Sequence, residues 1–422
     1  MKNCLFCLVS IAAGVAFAVD PLVSGVTAVQ GNGSRKVTVS YTLANEPAVV
    51  TVDVQTNRGD DVWVSIGADK QANITGDLNK LVQPGTHALV WNARQDWPDQ
   101  LITGGNIRFA VSAWTTNAPP EWMVVDLDAA TPAASVSYYA SEDRIPGGIS
   151  DVRYKTTHML FRKIPAGGVE WLMGSPDDES GRMTSENGEL WEKQHRVILT
   201  DDYYMAVFET TDGQYSNLEG VGSASTTPSK DKSYKDLRGA TNGLGWPASH
   251  DVDDSSWIGK LRDATGLDFD LPTEAQWEFA CRAGTTSSWC SGHNLTGDPN
   301  THVYNGPEGL KPYAQFSAGG NALQAVGQKL PNDFGLYDMM GNIREMCLDW
   351  MGNYPNDGGV SVDPLGAAKP NPFDATAAKI MVRGGCYSGI ADTLRSAARY
   401  AWIVNNSSGL IGFRLVCPAV VK

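Results

Sequence analysis

Asp338 and Glu345 stand seven residues apart around Gly341-Asn342, a dipeptide that favours a turn. A turn that draws two carboxylates together presents hard oxygen donors. The carbonyls of Gly341 and Ile343 could then complete a loop around a cation such as Ca²⁺, which takes about six to eight oxygens. From spacing alone, a capped turn is the first reading of this stretch and a calcium loop the second. Other chemistry-bearing residues show less order. His87, His158, His195, His250, His293 and His302 have no H-x-x-x-H or H-x-E spacing, so no zinc or iron triad is legible. Neither a G-x-S-x-G nor a G-x-x-x-x-G-K-[ST] motif occurs. The C-x-x-C from Cys4 to Cys7 lies at the extreme N-terminus, and Asp177-Asp178-Glu179 reads as a solvated loop.

The elements that would position these residues follow from composition. The chain has 422 residues, 47 acidic against 33 basic, with a net charge of −14. That balance excludes a broad nucleic-acid footprint. Charged residues are only 19%, whereas 44 Gly, 22 Pro and 13 Trp are plentiful. Short strands joined by many turns fit this mix better than helical bundles. Lys2, the apolar run Leu5 to Val15 and Ala16-Phe17-Ala18 read as a signal peptide over residues 1–18, so a secreted or periplasmic location is expected. No later 18-residue apolar run is present, and no membrane span is expected. Beyond the leader five cysteines remain: Cys281, Cys290, Cys347, Cys386 and Cys417. The odd number leaves at least one thiol unpaired or paired between chains.

Residues 19–118 read as a β-sandwich. Val37, Val39, Tyr41 and Leu43 alternate with polar residues, and Val50, Val52 and Val54 repeat the pattern, as do Ile107, Phe109 and Val111. The stretch Pro84 to Asn92, with Gly104-Gly105 and a further strand, resembles the immunoglobulin-like domains of secreted bacterial proteins, and implies a spacer or docking module. Asn117-Ala118-Pro119-Pro120 marks a boundary. Residues 119–157 are expected to be a connector, within which Trp122 to Leu127 could be a strand. In the second domain, 158–420, two helices are expected: Asp251 to Thr265, stopped by Gly266, and Thr273 to Ala283, capped by Thr273. Much of the rest must be loop, held by something other than regular ladders.

A run of motifs extends over residues 160–416. Ile164-Pro165-Ala166-Gly167 and Met173-Gly174-Ser175-Pro176 come first, then Glu209-Thr210-Thr211 and the Leu271 to Gly284 segment. Gly335 to Glu345, Arg383-Gly384-Gly385, Arg395 to Arg399 and Gly412-Phe413-Arg414-Leu415 follow in order. This series resembles the formylglycine-generating enzyme (sulfatase-modifying factor) family. The resemblance implies an α+β chain whose second domain is a loop-rich C-type lectin type of fold, organised partly by calcium. It places calcium side chains at Asp338 and Glu345 and carbonyl donors at Gly341 and Ile343. A second family calcium site is poorly matched: Asn305 could supply one ligand, but the acidic partner is missing near residues 318–320.

The family's catalytic chemistry does not carry across. Oxidising members hold copper between two cysteines just beyond an R-G-G-S motif and convert a substrate cysteine to formylglycine, and thiolates suit Cu(I) because both are soft. Here Cys386 replaces the serine, Gly389 stands where the first active cysteine is expected, and no second thiol follows. Copper is therefore not expected. Cys386 remains the weak catalytic candidate. A disulfide with another cysteine is its first reading, a buried free thiol the second, and a reactive nucleophile the last. Tyr387, Ser388, Asp392, Tyr400, Trp402, Asn405 and Asn406 resemble the ligand-binding end of lectin-fold receptors, although Tyr400 and Trp402 could equally be core. The expectation is a non-catalytic module for an unknown protein or carbohydrate ligand. The alternative is a sulfatase-activating oxidase with non-standard cysteine or metal chemistry, whose partner would be a sulfatase.

Overall fold

The computed structural model describes residues 19–31, 34–100, 105–183, 191–295, 297–298, 303–304, 310–317, 321–368 and 378–422. Residues 1–18, expected to be a signal peptide, and Gly104, His302, Asn305 and residues 318–320 lie outside the described residues. The chain divides into two compact units, one running to Ile66 and including Asn73–Thr115, the other comprising Gly67–Ala72 and Thr116–Lys422.

The first unit contains two antiparallel sheets. One has the order β1 (Leu22–Gln30), β2 (Lys36–Ala44), β7 (Gly85–Asn92), β5 (Ile74–Gly76). In the other, β3 (Ala48–Asn57) pairs with β4 (Trp63–Ser65), β6 (Leu81–Val82) and β8 (Ile107–Thr115). Alternation in β2 turns Val37, Val39, Tyr41 and Leu43 inward, where they meet Val50 and Val54 of β3 and Leu89 and Trp91 of β7 in one core. A short helix α1 (Ala93–Asp96) follows β7, and Asp96 accepts the indole N–H of Trp91 at 2.9 Å.

The second unit is a mixed α+β body. Its five-stranded antiparallel sheet has the order β10 (Val136–Tyr139), β9 (Trp122–Asp126), β11 (His158–Ile164), β14 (Tyr203–Ala206), β22 (Val416–Pro418). The expected connector 119–157 is thereby corrected, because β9 and β10 are strands of this sheet. Trp122, Met123, Val124 and Val125 are all buried, so the sheet is covered on both faces and no period-2 pattern marks the strand. A second sheet joins β12 (Val169–Met173), β13 (His195–Leu199) and β18 (Val360–Val362), and β15 (Gly297–Asp298) pairs with β16 (Val303–Tyr304). The sheet that carries the motifs has the order β20 (Tyr400–Ile403), β19 (Lys379–Arg383), β17 (Arg344–Trp350), β21 (Ile411–Gly412).

Helices α2 (Pro132–Ser135), α3 (Asp212–Leu218) and α4 (Tyr234–Arg238) are short. Helix α5 covers Trp257–Thr265 and not the whole of 251–265. Ser256 caps it through the amide of Gly259, whereas the Asp253 carboxylate is taken by the amides of Thr241 and Asn242. Gly266 ends it at φ 71°. Helix α6 (Glu274–Arg282) begins with a Thr273/Gln276 capping box. Its Trp277 is fully buried, while Phe279 is half-buried between Trp171 and Phe334.

What holds the loops is a set of buried ion pairs. Among the described residues Arg238, Arg282, Arg383, Arg395, Arg399 and Arg414 are buried, each beside a buried carboxylate. Arg399 grips Glu274 through two bonds of 2.9 and 2.5 Å, and Arg395 grips Glu192 through bonds of 2.8 and 2.9 Å. The guanidiniums also reach main-chain carbonyls. Arg414 donates to the carbonyls of Ala206, Val207 and Tyr337, tying the end of β14 to the segment that follows it and to the turn before β17.

Candidate functional site

Strands β17 and β19 run antiparallel with Glu345 opposite Arg383, so the turn entering β17 and the turn leaving β19 lie side by side. Gly341 donates its amide to the Gly384 carbonyl at 2.7 Å, and Tyr387 donates to the Asn342 carbonyl at 2.9 Å. Two motifs distant in sequence thus form one site. β21 completes it by pairing Gly412 with Glu345, which brings the G-F-R-L segment alongside. Asp338 and Asn342 adopt left-handed backbone at φ 59° and 56°, which Asp and Asn tolerate better than most residues.

Within this turn sits Glu209, from the segment after β14, which the sequence offered as part of the Glu209-Thr210-Thr211 motif but with no role in the site. Its carboxylate accepts from Asn342 Nδ2 at 2.6 Å and from the Ile343 amide at 3.1 Å, locking the turn from beneath. The available signals were that motif and an acidic residue directly after the apolar run Tyr203 to Phe208. Burial, then the charges of Asp338 and Glu345, push the Glu209 carboxyl well above the carboxylate range. Burial also raises Asp338 to about 6, against the Gly327 amide donated to its Oδ2 at 2.6 Å.

The carboxylates expected to hold calcium are engaged otherwise. Glu345 Oε1 accepts from Arg414 Nε and Nη2 at 3.2 and 2.9 Å, and Oε2 from Arg414 Nε and Trp277 Nε1 at 3.0 and 2.7 Å. Two donors on each oxygen leave no lone pair for a cation, and the guanidinium would repel one. Among the described residues no group of three or more His, Cys, Asp or Glu side chains could hold a metal ion. The set Asp338, Gly341, Ile343 and Glu345 therefore does not fit calcium in this geometry. What it builds is a capped turn closed by an ion pair.

A pH experiment separates the two arrangements. A buried acid whose folded pKa is raised binds its proton more tightly in the native state. Its contribution is fully present below about pH 4 and is lost as pH rises towards 6. Asp338→Asn should then raise the melting temperature at pH 8, relieving up to about 3 kcal/mol, and change little at pH 4. Differential scanning calorimetry with and without calcium checks this. Calcium-dependent stability that Asp338→Asn removes would restore the cation loop.

Cys386 is buried, and its sulfur lies 3.4 Å from Ser388 Oγ and not against another cysteine, which corrects the disulfide as its first reading. Of the candidate ligand residues, Ser388, Asn405 and Asn406 are exposed, while Tyr387, Asp392, Tyr400 and Trp402 are half-buried. Arg344 lies over the Tyr400 ring at 4.6 Å, and Trp402 donates its indole N–H to the Asn406 carbonyl at 3.0 Å. Tyr400 and Trp402 thus share β20, and Tyr387 to Asp392 belong to the neighbouring turn. A separate cleft of about 610 Å³ is lined by Glu274, Asp349, Tyr354, Asp363 and Arg399, and by none of these residues. There burial, followed by the charge of Glu274, raises Asp349 to about 8.

The chain is similar to several known proteins. The formylglycine-generating enzyme of Streptomyces coelicolor is 31% identical over 185 residues, covering 42% of this chain and 55% of that protein. Serine/threonine-protein kinase pkn1 of Chlamydia pneumoniae is 29% identical over 234 residues, 52% of this chain and 33% of the kinase. The chain thus spans about half and a third of these two relatives' lengths. The mouse formylglycine-generating enzyme is 24% identical over 321 residues, 67% of this chain and 81% of that enzyme. Among solved structures, Treponema denticola variable protein 1 aligns at a TM-score of 0.44 and 22% identity, over 62% of this chain and 96% of that one. The family model of the sulfatase-modifying factor enzyme 1-like domain matches residues 154–419, so the chain belongs to that family.

Proposed function

We propose that this protein is a non-catalytic member of the family, in which a C-type lectin type of domain binds a protein or carbohydrate ligand. In this reading an immunoglobulin-like sandwich precedes it as a spacer, and the protein works in a secreted or periplasmic setting. The turn after Arg383-Gly384-Gly385 carries the proposal. Its thiol is Cys386, buried against Ser388, and Gly389 supplies no side chain. A Cβ at Gly389 would sit 2.6 Å from Thr393 Oγ1 and 3.0 Å from the Cys386 carbonyl, so even a cysteine introduced there would displace its neighbours. One thiolate leaves Cu(I) weakly held. Exposed Ser388, Asn405 and Asn406 beside half-buried Tyr387, Asp392, Tyr400 and Trp402 supply adaptable hydrogen bonds and rigid contact area instead. Relatives named formylglycine-generating enzyme and serine/threonine-protein kinase both match this chain, so similarity to it is not tied to one printed activity.

The second reading is a sulfatase-activating oxidase, favoured by the names of several relatives. Copper titration combined with a peptide cysteine-oxidation assay discriminates between the two. The expected result is no aldehyde product above the protein-free control. Copper-dependent conversion of the peptide cysteine to formylglycine, lost in Cys386→Ser, would establish the oxidase.

A further inference from the structure

The cleft beside Glu274 and Arg399 holds a buried acid for which the fold supplies no cation. Elsewhere in the second unit Glu192, Glu274, Glu278, Glu345 and Asp270 each meet a buried arginine. Asp349, near the end of β17, is 3% exposed and, among the described residues, forms no ion pair. Its Oδ2 accepts the Glu274 amide at 2.8 Å, at the start of α6. Arg399 acts on it through space, yet that guanidinium is committed to both oxygens of Glu274 and to the carbonyls of Trp191 and Gly352. Asp338 and Glu209 also lack an arginine of their own, but they close a turn and do not line the cleft.

A second group at the same place lacks a partner. Tyr354 is 8% exposed, and its ring packs against the Arg399 guanidinium at 3.7 Å and the His195 ring at 4.7 Å. Its hydroxyl is buried with no hydrogen-bond partner, which is uncommon in a native fold. His195 Nδ1 lies 2.9 Å from the Lys193 carbonyl, so in the neutral ring Nε2 is left as an acceptor. On the exposed side, Asp363 accepts from the uncharged amide and hydroxyl of Thr200. Met173, Val362 and Leu365 add apolar wall. We propose that this cleft binds a small organic cation, a primary ammonium on an apolar body, with Asp349 as its counter-charge.

An ammonium has three N–H donors and no acceptor, and Asp349, the Tyr354 oxygen and His195 Nε2 are acceptors that the cleft leaves open. Its volume of about 610 Å³ is in the range of small-molecule sites. Glu274 and Arg399 cancel as a pair, so an arriving cation meets two carboxyls, Asp349 and Asp363, that have no cation of their own. In the empty cleft, burial and then the charge of Glu274 keep Asp349 protonated up to about pH 8, against the Glu274 amide and Arg399, which favour its anion. The other titratable groups around it are His195, Tyr354, Asp363 and the buried thiol of Cys347. Binding therefore exchanges one proton for one ammonium: the Asp349 O–H bond breaks, the proton leaves to solvent, and the carboxylate accepts an N–H. The site shares no residue with the proposed ligand face and does not depend on that reading.

Isothermal titration calorimetry of the full chain with n-pentylamine tests this, with 1-pentanol and pentanoate as the neutral and anionic controls. Saturable binding of the amine alone is expected. Its affinity should rise about tenfold from pH 7 to pH 9, where Asp349 no longer has a proton to lose. At pH 7 nearly one proton should be released per amine bound, read from the dependence of the heat on buffer ionisation enthalpy. Asp349→Asn keeps an oxygen for the Glu274 amide, and should weaken binding at least about tenfold and abolish its pH dependence. Tyr354→Phe, which removes only the hydroxyl, should weaken it several-fold. Pentylamine that fails to bind at pH 9, or pentanol that binds as tightly, overturns the proposal. So does amine binding that is independent of pH or survives Asp349→Asn. If Asp349→Asn does not fold, the wild-type pH profile and Tyr354→Phe read the outcome.

Discussion

Arg383→Met should destabilise the second unit by about 3–5 kcal/mol, with a lower midpoint in urea and an unchanged slope. Arg383 is fully buried and serves several partners at once. It donates to Glu278 Oε2 and to the carbonyls of Ser396 and Ala397 at 3.0 and 3.2 Å, and lies 3.5 Å from Glu274. Methionine matches the volume but orphans those acceptors. Burial opposes ionisation of Glu278, yet Arg282 and Arg383 together hold its carboxyl below the ordinary value, so the variant leaves a charge with half its support. The double variant Arg383→Met/Glu278→Leu should lose less than the sum of the single changes, because the second removes the charge that the first orphaned. At the surface, Arg196→Met breaks an exposed pair with Glu170 and should barely move the curve. Equal effects of Arg383→Met and Arg196→Met would refute the buried network as the loops' support.

Gly341→Ala is expected to be nearly as damaging, by at least about 2–3 kcal/mol, while Gly284→Ala costs about 1–2 kcal/mol. Both glycines sit at φ 91°, so the left-handed penalty is common to them. They differ in surroundings. A Cβ on Gly341 would lie 2.0 Å from the Gln315 carbonyl oxygen and 2.8 Å from its carbon, whereas nothing lies within 4 Å of one on Gly284. Backbone atoms cannot yield as a flexible side chain can, so the turn itself must move. Asn342 would then lose its hold on Glu209, and Tyr387 its bond to the Asn342 carbonyl. Chemical denaturation of the two variants measures the difference. Equal losses would mean that the turn adapts and does not fix the site.

The features legible in the sequence were those written in neighbouring residues. Alternation in β2 named its buried face, Thr273 and Gln276 named the start of α6, and Gly266 named the end of α5. Motif order was equally readable over residues 160–416, which is why the family could be expected there before the family model matched residues 154–419. Local rules failed wherever the partner was remote. Trp122 to Leu127 could be read as a strand, but nothing near it says that β11 will pair with it, so the segment reads as part of a connector. Glu345 and Asp338 have the spacing of a cation loop, but Arg414, arriving from 69 residues away, occupies Glu345. Glu209 meets Asn342 across 133 residues, and Arg395 meets Glu192 across 203. A buried charge persists only where the fold brings a counter-charge, as for Glu192 and Glu345, and otherwise the group is driven towards its neutral form, as at Glu209. Residue types and local spacing thus set the strands, the caps and the family. Only the tertiary structure decided which carboxylate faces an arginine, because those partners lie far apart in the chain.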